Sequence, residues 1–239
     1  MKLNGVLFLL ALIAICCIGK TSERKDISDS LQLKFKQDSL KLIEKQWKIE
    51  KQRKDSVFRL ELIKKSDSLK TVYSKLIKGF TAIRDEFNET EIYRSKRIEE
   101  RYVNRKTIYA LCNSSGELAL VSNYFDADWL FHDRVKVKIG DDIFETQSIS
   151  LSEKGSTQYN EDGNVWENIV YTSNDEIIKT IADDPSKKVL VRFEGKQFYN
   201  NSEVSLNDKK SIRETYLLAK CIYRSKEIEN YKRFYSIKK

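Results

Sequence analysis

"LKTVYSKLIKGFTAIRDEF", Leu69–Phe87, decides how this chain divides. Its apolar residues step as Leu69, Tyr73, Leu76, Phe80, Ile83 and Phe87, at intervals of 4, 3, 4, 3 and 4 residues. That is the seam of a heptad repeat, which lies on one face of a helix. The rhythm crosses Gly79 without a break, so the spacing predicts one helix running through it. Upstream, Leu33, Leu40, Ile43 and Trp47 form a shorter seam, and Glu–Lys pairs four residues apart at Glu44–Lys48, Glu50–Lys54 and Glu61–Lys65 favour helix. From Lys20 to this point the chain has no Pro, and Gly79 is its first Gly. Residues 20–106 therefore read as a long, coiled-coil-like helical stalk.

From Thr107 the pattern changes. "TIYALCN", "ELALVSNYF", "RVKVKIG", "DIFETQSI", "VWENIVYT" and "KVLVRFEG" are short apolar runs. Val135, Val137 and Ile139 alternate with Arg134, Lys136 and Lys138, the period of a half-buried strand. "IGDDIF" reads as a hairpin turn. Ser173 with Glu176 reads as a capping box opening a short helix. A longer helix begins near Asn207, with Ile212, Tyr216, Ala219 and Tyr223 as its inner stripe. Residues 107–222 thus form a globular domain, and 223–239 a basic helical tail. The fold class is α+β: a long N-terminal helix, then an antiparallel sheet with helices on one face. Charge follows the same division. Residues 20–106 carry 24 Lys and Arg against 15 Asp and Glu, whereas residues 107–222 carry 13 against 19.

The N-terminus speaks to location. Val6–Ile18 is an apolar run of 13 residues behind Lys2. A membrane-spanning helix needs ~20 apolar residues, and a secretory h-region needs ~7–15. Residues 1–19 therefore read as an export signal, and the run ends in Cys16-Cys17. A bacterial lipobox places a lipid on a cysteine that follows small residues. Cys17 follows Cys16 and is the preferred acceptor, and Cys16 is the alternative. An uncleaved signal anchor and plain secretion are the other readings of the same segment.

The chemical candidates are few. "DADWLFHD", Asp126–Asp133, holds the single His, His132, among three carboxylates, and Trp129–Phe131 inside it read as a strand edge. One His is a sparse metal set, and no Ser sits in a Gly-x-Ser-x-Gly turn. No Gly-rich phosphate loop is present. No metal and no cofactor is expected. Cys112 and Cys221 are candidates for a disulfide in an exported protein, or for two buried thiols. The basic helix interleaves acids with its lysines, which fits a solvated face better than a nucleic-acid groove.

"DADWLFHDRVKVKIGDDIFE", "ENIVYTSNDEIIKTIAD" and "KVLVRFEGKQFY", followed by a final helix, resemble an uncharacterised α+β domain of bacterial lipoproteins and other envelope or phage-related proteins. The shared features are an Asp-Trp-aliphatic step before a hairpin, a helix after an acidic cap and a Val-x-Val-Arg-Phe-x-Gly-x-x-x-Tyr strand pair. The resemblance covers residues 108–222 and implies a fold without a reaction. Asp128, Trp129, Arg192 and Tyr199 are the candidate ligand surface. The expectation is a non-enzymatic, lipid-anchored envelope protein whose stalk presents an α+β binding domain. Its expected partners are the membrane, an envelope protein or anionic surface, and a second copy through the Leu69–Phe87 seam. Two alternatives are an envelope hydrolase using His132 and nearby carboxylates, and a transport adaptor of the membrane-fusion type. The adaptor fits least, since it needs a returning helical hairpin.

Overall fold

The structure, a computed structural model, describes residues 22–85, 90–98, 103–150, 152 and 155–234, with side chains from residue 33 onward except that of residue 85. Residues 1–19, read above as an export signal, with Cys16 and Cys17, the seam residue Phe87, and residues 235–239 lie outside the described residues. Among the described residues no helix is long and apolar enough to cross a membrane.

The chain is α+β, with a long N-terminal helix followed by antiparallel sheets and further helices. The helix, α1, is Ser22–Leu76. A single 3₁₀ turn, Ile77–Gly79, closes it, and the backbone at Phe80 is extended (φ −125°, ψ 153°). Strands β1, Phe80–Asp85, and β2, Thr90–Ser95, then form an antiparallel hairpin, with Phe80 opposite Ser95 and Ile83 opposite Ile92. The uninterrupted helix expected through Gly79 is thus corrected. A heptad seam and a strand make different use of the same residues. With period two, positions 80 and 83 fall on opposite faces. Accordingly Phe80 is 6% exposed and Ile83 is 43% exposed. Phe80 packs with Tyr93, Cys112, Leu218, Ala219 and Ile222.

The chain divides into two units, to Phe58 and from Arg59, with α1 continuing through the boundary. In the first unit Leu33, Leu40, Ile43 and Trp47 are exposed. In the second, the lower seam is already occupied: Tyr73, Leu76 and Ile77 pack on the Phe80 cluster. Cys221 Sγ donates to the Leu69 carbonyl at 3.4 Å, and Lys232 Nζ donates to Ser66 Oγ at 2.6 Å. The folded unit therefore starts far before Thr107, because the hairpin β1–β2 belongs to the main sheet.

The remaining strands are β3 Thr107–Asn113, β4 Leu118–Asp126, β5 His132–Ile139, β6 Asp142–Glu145, β7 Ser156–Glu161, β8 Asn164–Tyr171, β9 Val189–Gly195 and β10 Tyr199–Glu203. They build two antiparallel sheets where the sequence suggested one. The first has the order β1-β2-β3-β4-β8-β7 and the second β10-β9-β5-β6. The β5–β6 turn is the expected hairpin, with Gly140 at φ 62° supplying the positive φ its first loop position needs. Helix α2 is Asp175–Asp183 and helix α3 is Leu206–Phe234. Asn174 precedes α2 with no side-chain cap bond, so the Ser173–Glu176 box is not formed. A side-chain N-cap sits instead on α3: the Asp208 amide donates to Ser205 Oγ, and Ser205 Oγ donates to the Asp208 carboxylate. Residues 223–234 continue α3, so no separate tail begins at Tyr223; that side chain itself is exposed.

Ile108, Leu120, Val165 and Ile169 of the first sheet meet Val135, Val137, Val191 and Phe193 of the second, and Ile177, Ile178, Ile181 and Ile212 of α2 and α3 complete this core. Strand and helix are locked by burial that removes apolar surface from water at roughly 25 cal/mol per Å². Cys112 and Cys221 are both buried free thiols, so the candidate disulfide is absent. Burial pushes the Cys112 thiol up to about 12, which leaves it an inert hydrophobe.

The hairpin reading is testable by paired substitutions in the intact chain. Phe80→Ala should cost about 3–5 kcal/mol in urea unfolding, and Ile83→Lys should stay within about 0.5 kcal/mol of the parent. Equal losses at the two positions would return them to one helical seam.

Candidate functional site

Three strands supply a buried polar chain. Ser122 lies mid-way along β4 between Leu120 and Tyr124, and Glu167 lies mid-way along β8 between Val165 and Ile169. Both therefore share the inward parity of apolar neighbours. His132 opens β5 in the second sheet. Its even number places it with the outward Arg134 and Lys136, yet it is fully buried. The reason is a register shift between His132 and Arg134, which turns the His132 side chain inward. His132 is therefore not the surface residue that its acidic neighbours Asp126, Asp128 and Asp133 suggest.

His132 Nδ1 is 2.8 Å from Glu167 Oε2, and Nε2 is 2.8 Å from Ser122 Oγ. Tyr171 Oη lies 3.5 Å from the same Ser122 oxygen. Glu167 also accepts the backbone N–H groups of Leu130 at 2.7 Å, Phe131 at 2.8 Å and His132 at 2.9 Å. Three successive amides converging on one carboxylate form an anion nest, and Phe131 makes it by taking a left-handed φ of 53°. Burial by itself raises the Glu167 carboxyl. The His132 ring and the Phe131 and His132 amides outweigh it and hold the group below the ordinary glutamate value. A carboxylate has only lone pairs to offer, so His132 Nδ1 donates to it. Burial also pushes the Tyr171 phenol up to about 12.

Serine, histidine and carboxylate in this order match the connectivity of an acyl-transfer triad. The surroundings differ from one. Ser122, His132 and Glu167 are almost wholly sealed from solvent. Ser122 stands inside a regular strand, and the amides that could serve an oxyanion are filled by Glu167. Two surface clefts of about 840 and 660 Å³ are lined by Lys75, Arg97, Arg105 and Glu214, and by Ile92, Leu111, Cys112 and Tyr223; neither touches the relay. What the relay does is clasp the two sheets and fix the loop 127–131. The neighbouring carboxylates are spent elsewhere: Asp126 takes Lys106 and Tyr124, and Asp133 takes Ser148. No cluster suited to a metal occurs among the described residues.

The clasped loop ends in aromatics. Trp129–Phe131 is not a strand edge; the two rings stack at 5.6 Å and 12°. The loop passes so close to β9 that a Cβ at Gly195 would meet the Leu130 carbonyl oxygen at 2.2 Å, so Gly195 must be glycine. Gly195 pairs with His132, and its amide donates to the Phe198 carbonyl at 2.9 Å. These contacts bring the 129–131 loop and the β9–β10 hairpin to one end of the second sheet. There Phe198 is 72% exposed, Tyr199 61% and Phe131 46%. The Arg192 guanidinium lies 4.3 Å over the Tyr199 ring, and its Nε donates to Asn201 Oδ1 at 2.9 Å. Asp128, Trp129, Arg192 and Tyr199, the candidate surface, thus fall on two neighbouring segments, with Arg192 and Tyr199 in direct contact. Ser122, Glu167, Tyr171 and Gly195 were missed. Their signal was a polar residue on an apolar parity in β4 and β8, and a glycine ending the Val-Leu-Val-Arg-Phe run.

No protein family, curated protein or solved structure matches the chain.

Glu167→Ala leaves four donors without an acceptor, two of them buried, and a lost partner costs about 1–3 kcal/mol for each buried group, so a loss above about 3 kcal/mol is expected. Glu167→Gln should lose less and should alter the acid limb. Since the folded carboxyl titrates below the unfolded one, its contribution is complete above the unfolded glutamate range near 4.5. It disappears as pH falls through the lower folded value. The gap between parent and Glu167→Gln, followed by urea unfolding from pH 7 to pH 3, should therefore close on the acid side. A gap that is constant with pH would place the carboxylate outside the clasp.

Proposed function

We propose that this protein is a non-enzymatic, lipid-anchored envelope protein whose α+β domain binds a ligand at the aromatic end of its second sheet. The observation that carries the binding reading is the contrast between two groups of side chains. The residues with catalytic chemistry are buried and mutually satisfied, and the aromatics beside them are exposed and held in place. Exposed, preorganised aromatics gain contact area at low entropic cost, which is the usual economy of a binding patch. The sequence supports the anchor: Val6–Ile18 is too short to span a bilayer and ends in Cys16-Cys17.

A hydrolase needs a nucleophile that substrate can touch, and Ser122 is reached only by opening the two-sheet core. A fluorophosphonate probe should leave Ser122 unlabelled in the intact chain, at the background of Ser122→Ala. Labelling that Ser122→Ala removes would overturn the non-enzymatic reading. Replacing Cys16 and Cys17 together by Ser should move the protein from the membrane fraction to the soluble one. A double variant that stays with the membrane would replace the lipid by an uncleaved anchor.

A further inference from the structure

The aromatic end of the second sheet has a chemistry that narrows its ligand, and we propose that it is a saccharide-binding site for a neutral polysaccharide chain. The inference rests on the binding reading above. Sugars offer two things at once: an apolar face of C–H groups, and a rim of hydroxyls that both donate and accept. The patch offers the complement of each.

For the apolar face there are Phe131, Phe198 and Tyr199, all exposed, with Trp129 stacked beneath Phe131. The rings are not free to collapse onto one another. Trp129 and Phe131 are fixed by the Glu167 nest, since the amides on either side of the Phe131 Cα carry the bonds. Tyr199 is held by the Arg192 guanidinium over its ring, and Arg192 is itself bonded to Asn201 across the strand pair. For the hydroxyl rim there is an exposed carboxylate, Asp128, and there are donors on Arg192, Lys196 and Gln197. Among the described residues Asp128, Arg192 and Lys196 have no ion-pair partner. The terminal nitrogens of Arg192 therefore retain donors for a ligand.

This mixture also argues against other occupants. A cationic ligand would be repelled by Arg192 and Lys196, although aromatic faces attract cations. An anionic bilayer, which basic surfaces seek, would meet Asp128 at the tip. A purely apolar segment would strand all three charges. A ligand without net charge that donates and accepts along its edge satisfies all of them. Recognition through ring faces and neutral hydroxyls should be insensitive to salt, unlike adsorption driven by the chain's net charge of +8.

The test is co-sedimentation of the intact chain with three insoluble neutral polysaccharides: chitin, cellulose and a β-1,3-glucan. Binding to at least one is expected, changed by less than about twofold between 0.1 and 1 M NaCl. The double variant Phe198→Ala/Tyr199→Ala should bind at least tenfold more weakly and keep the parental melting temperature, since both side chains are exposed. Tyr199→Phe, which retains the ring, should bind like the parent. Binding that 1 M NaCl removes, binding that the double variant keeps, or no binding to any of the three overturns the saccharide assignment. Failure of this kind with Ser122 unlabelled by the fluorophosphonate leaves the non-enzymatic reading standing. Labelled Ser122 would remove that reading as well.

Discussion

One buried carboxylate organises the site-bearing half of this molecule. Glu167 enters the space between two sheets, where a lone charge would be expensive, and is stabilised by three backbone amides and an imidazole. The same bonds that solvate it fix the path of the chain from Leu130 to His132. That path requires a left-handed Phe131, a register shift at the start of β5 and a glycine at 195. Each of these is a local irregularity, and each becomes intelligible as a consequence of bringing amides to the carboxylate. The aromatic rings at the sheet end inherit their placement from it.

The relay has the connectivity of a triad inside a sealed core. Serine, histidine and glutamate stand within hydrogen-bond reach in the order that nucleophilic catalysis uses. Around this order Ser122 is buried inside β4, and the amides of Leu130, Phe131 and His132 are bonded to Glu167. A fully satisfied polar network in a low-dielectric core rigidifies and specifies the arrangement around it. Two sheets packed only by Val, Ile and Phe could slide by small amounts. Directional bonds between β4, β8 and β5 remove that freedom.

Much of the fold was legible in the sequence where one period dominates. The alternation in Val135–Ile139 and Val189–Phe193, the hairpin at Gly140 and the long helix up to Leu76 are all structural facts. The misreadings share a cause. Leu69–Phe87 keeps a helical spacing of apolar residues across Gly79, and only tertiary partners decide that Phe80 joins a strand beside Tyr93. Strands β7 and β10 alternate polar with polar, so they carry no signal of period two. His132 was unreadable for a sharper reason: a one-residue register shift inverts which face a side chain takes, and parity in the sequence then points the wrong way. Glu167 could have been found, because a carboxylate among Val165, Ile169 and Tyr171 on one strand face calls for buried donors.

Native-state hydrogen exchange at the amides of Leu130, Phe131 and His132 tests the central claim most directly. These amides sit at the end of an exposed loop, where exchange would ordinarily be fast. If the Glu167 clasp holds the loop, the three should be protected nearly as strongly as core amides of β4 and β8, exchanging through global unfolding. Exchange at the rate of an unstructured surface loop would contradict the account.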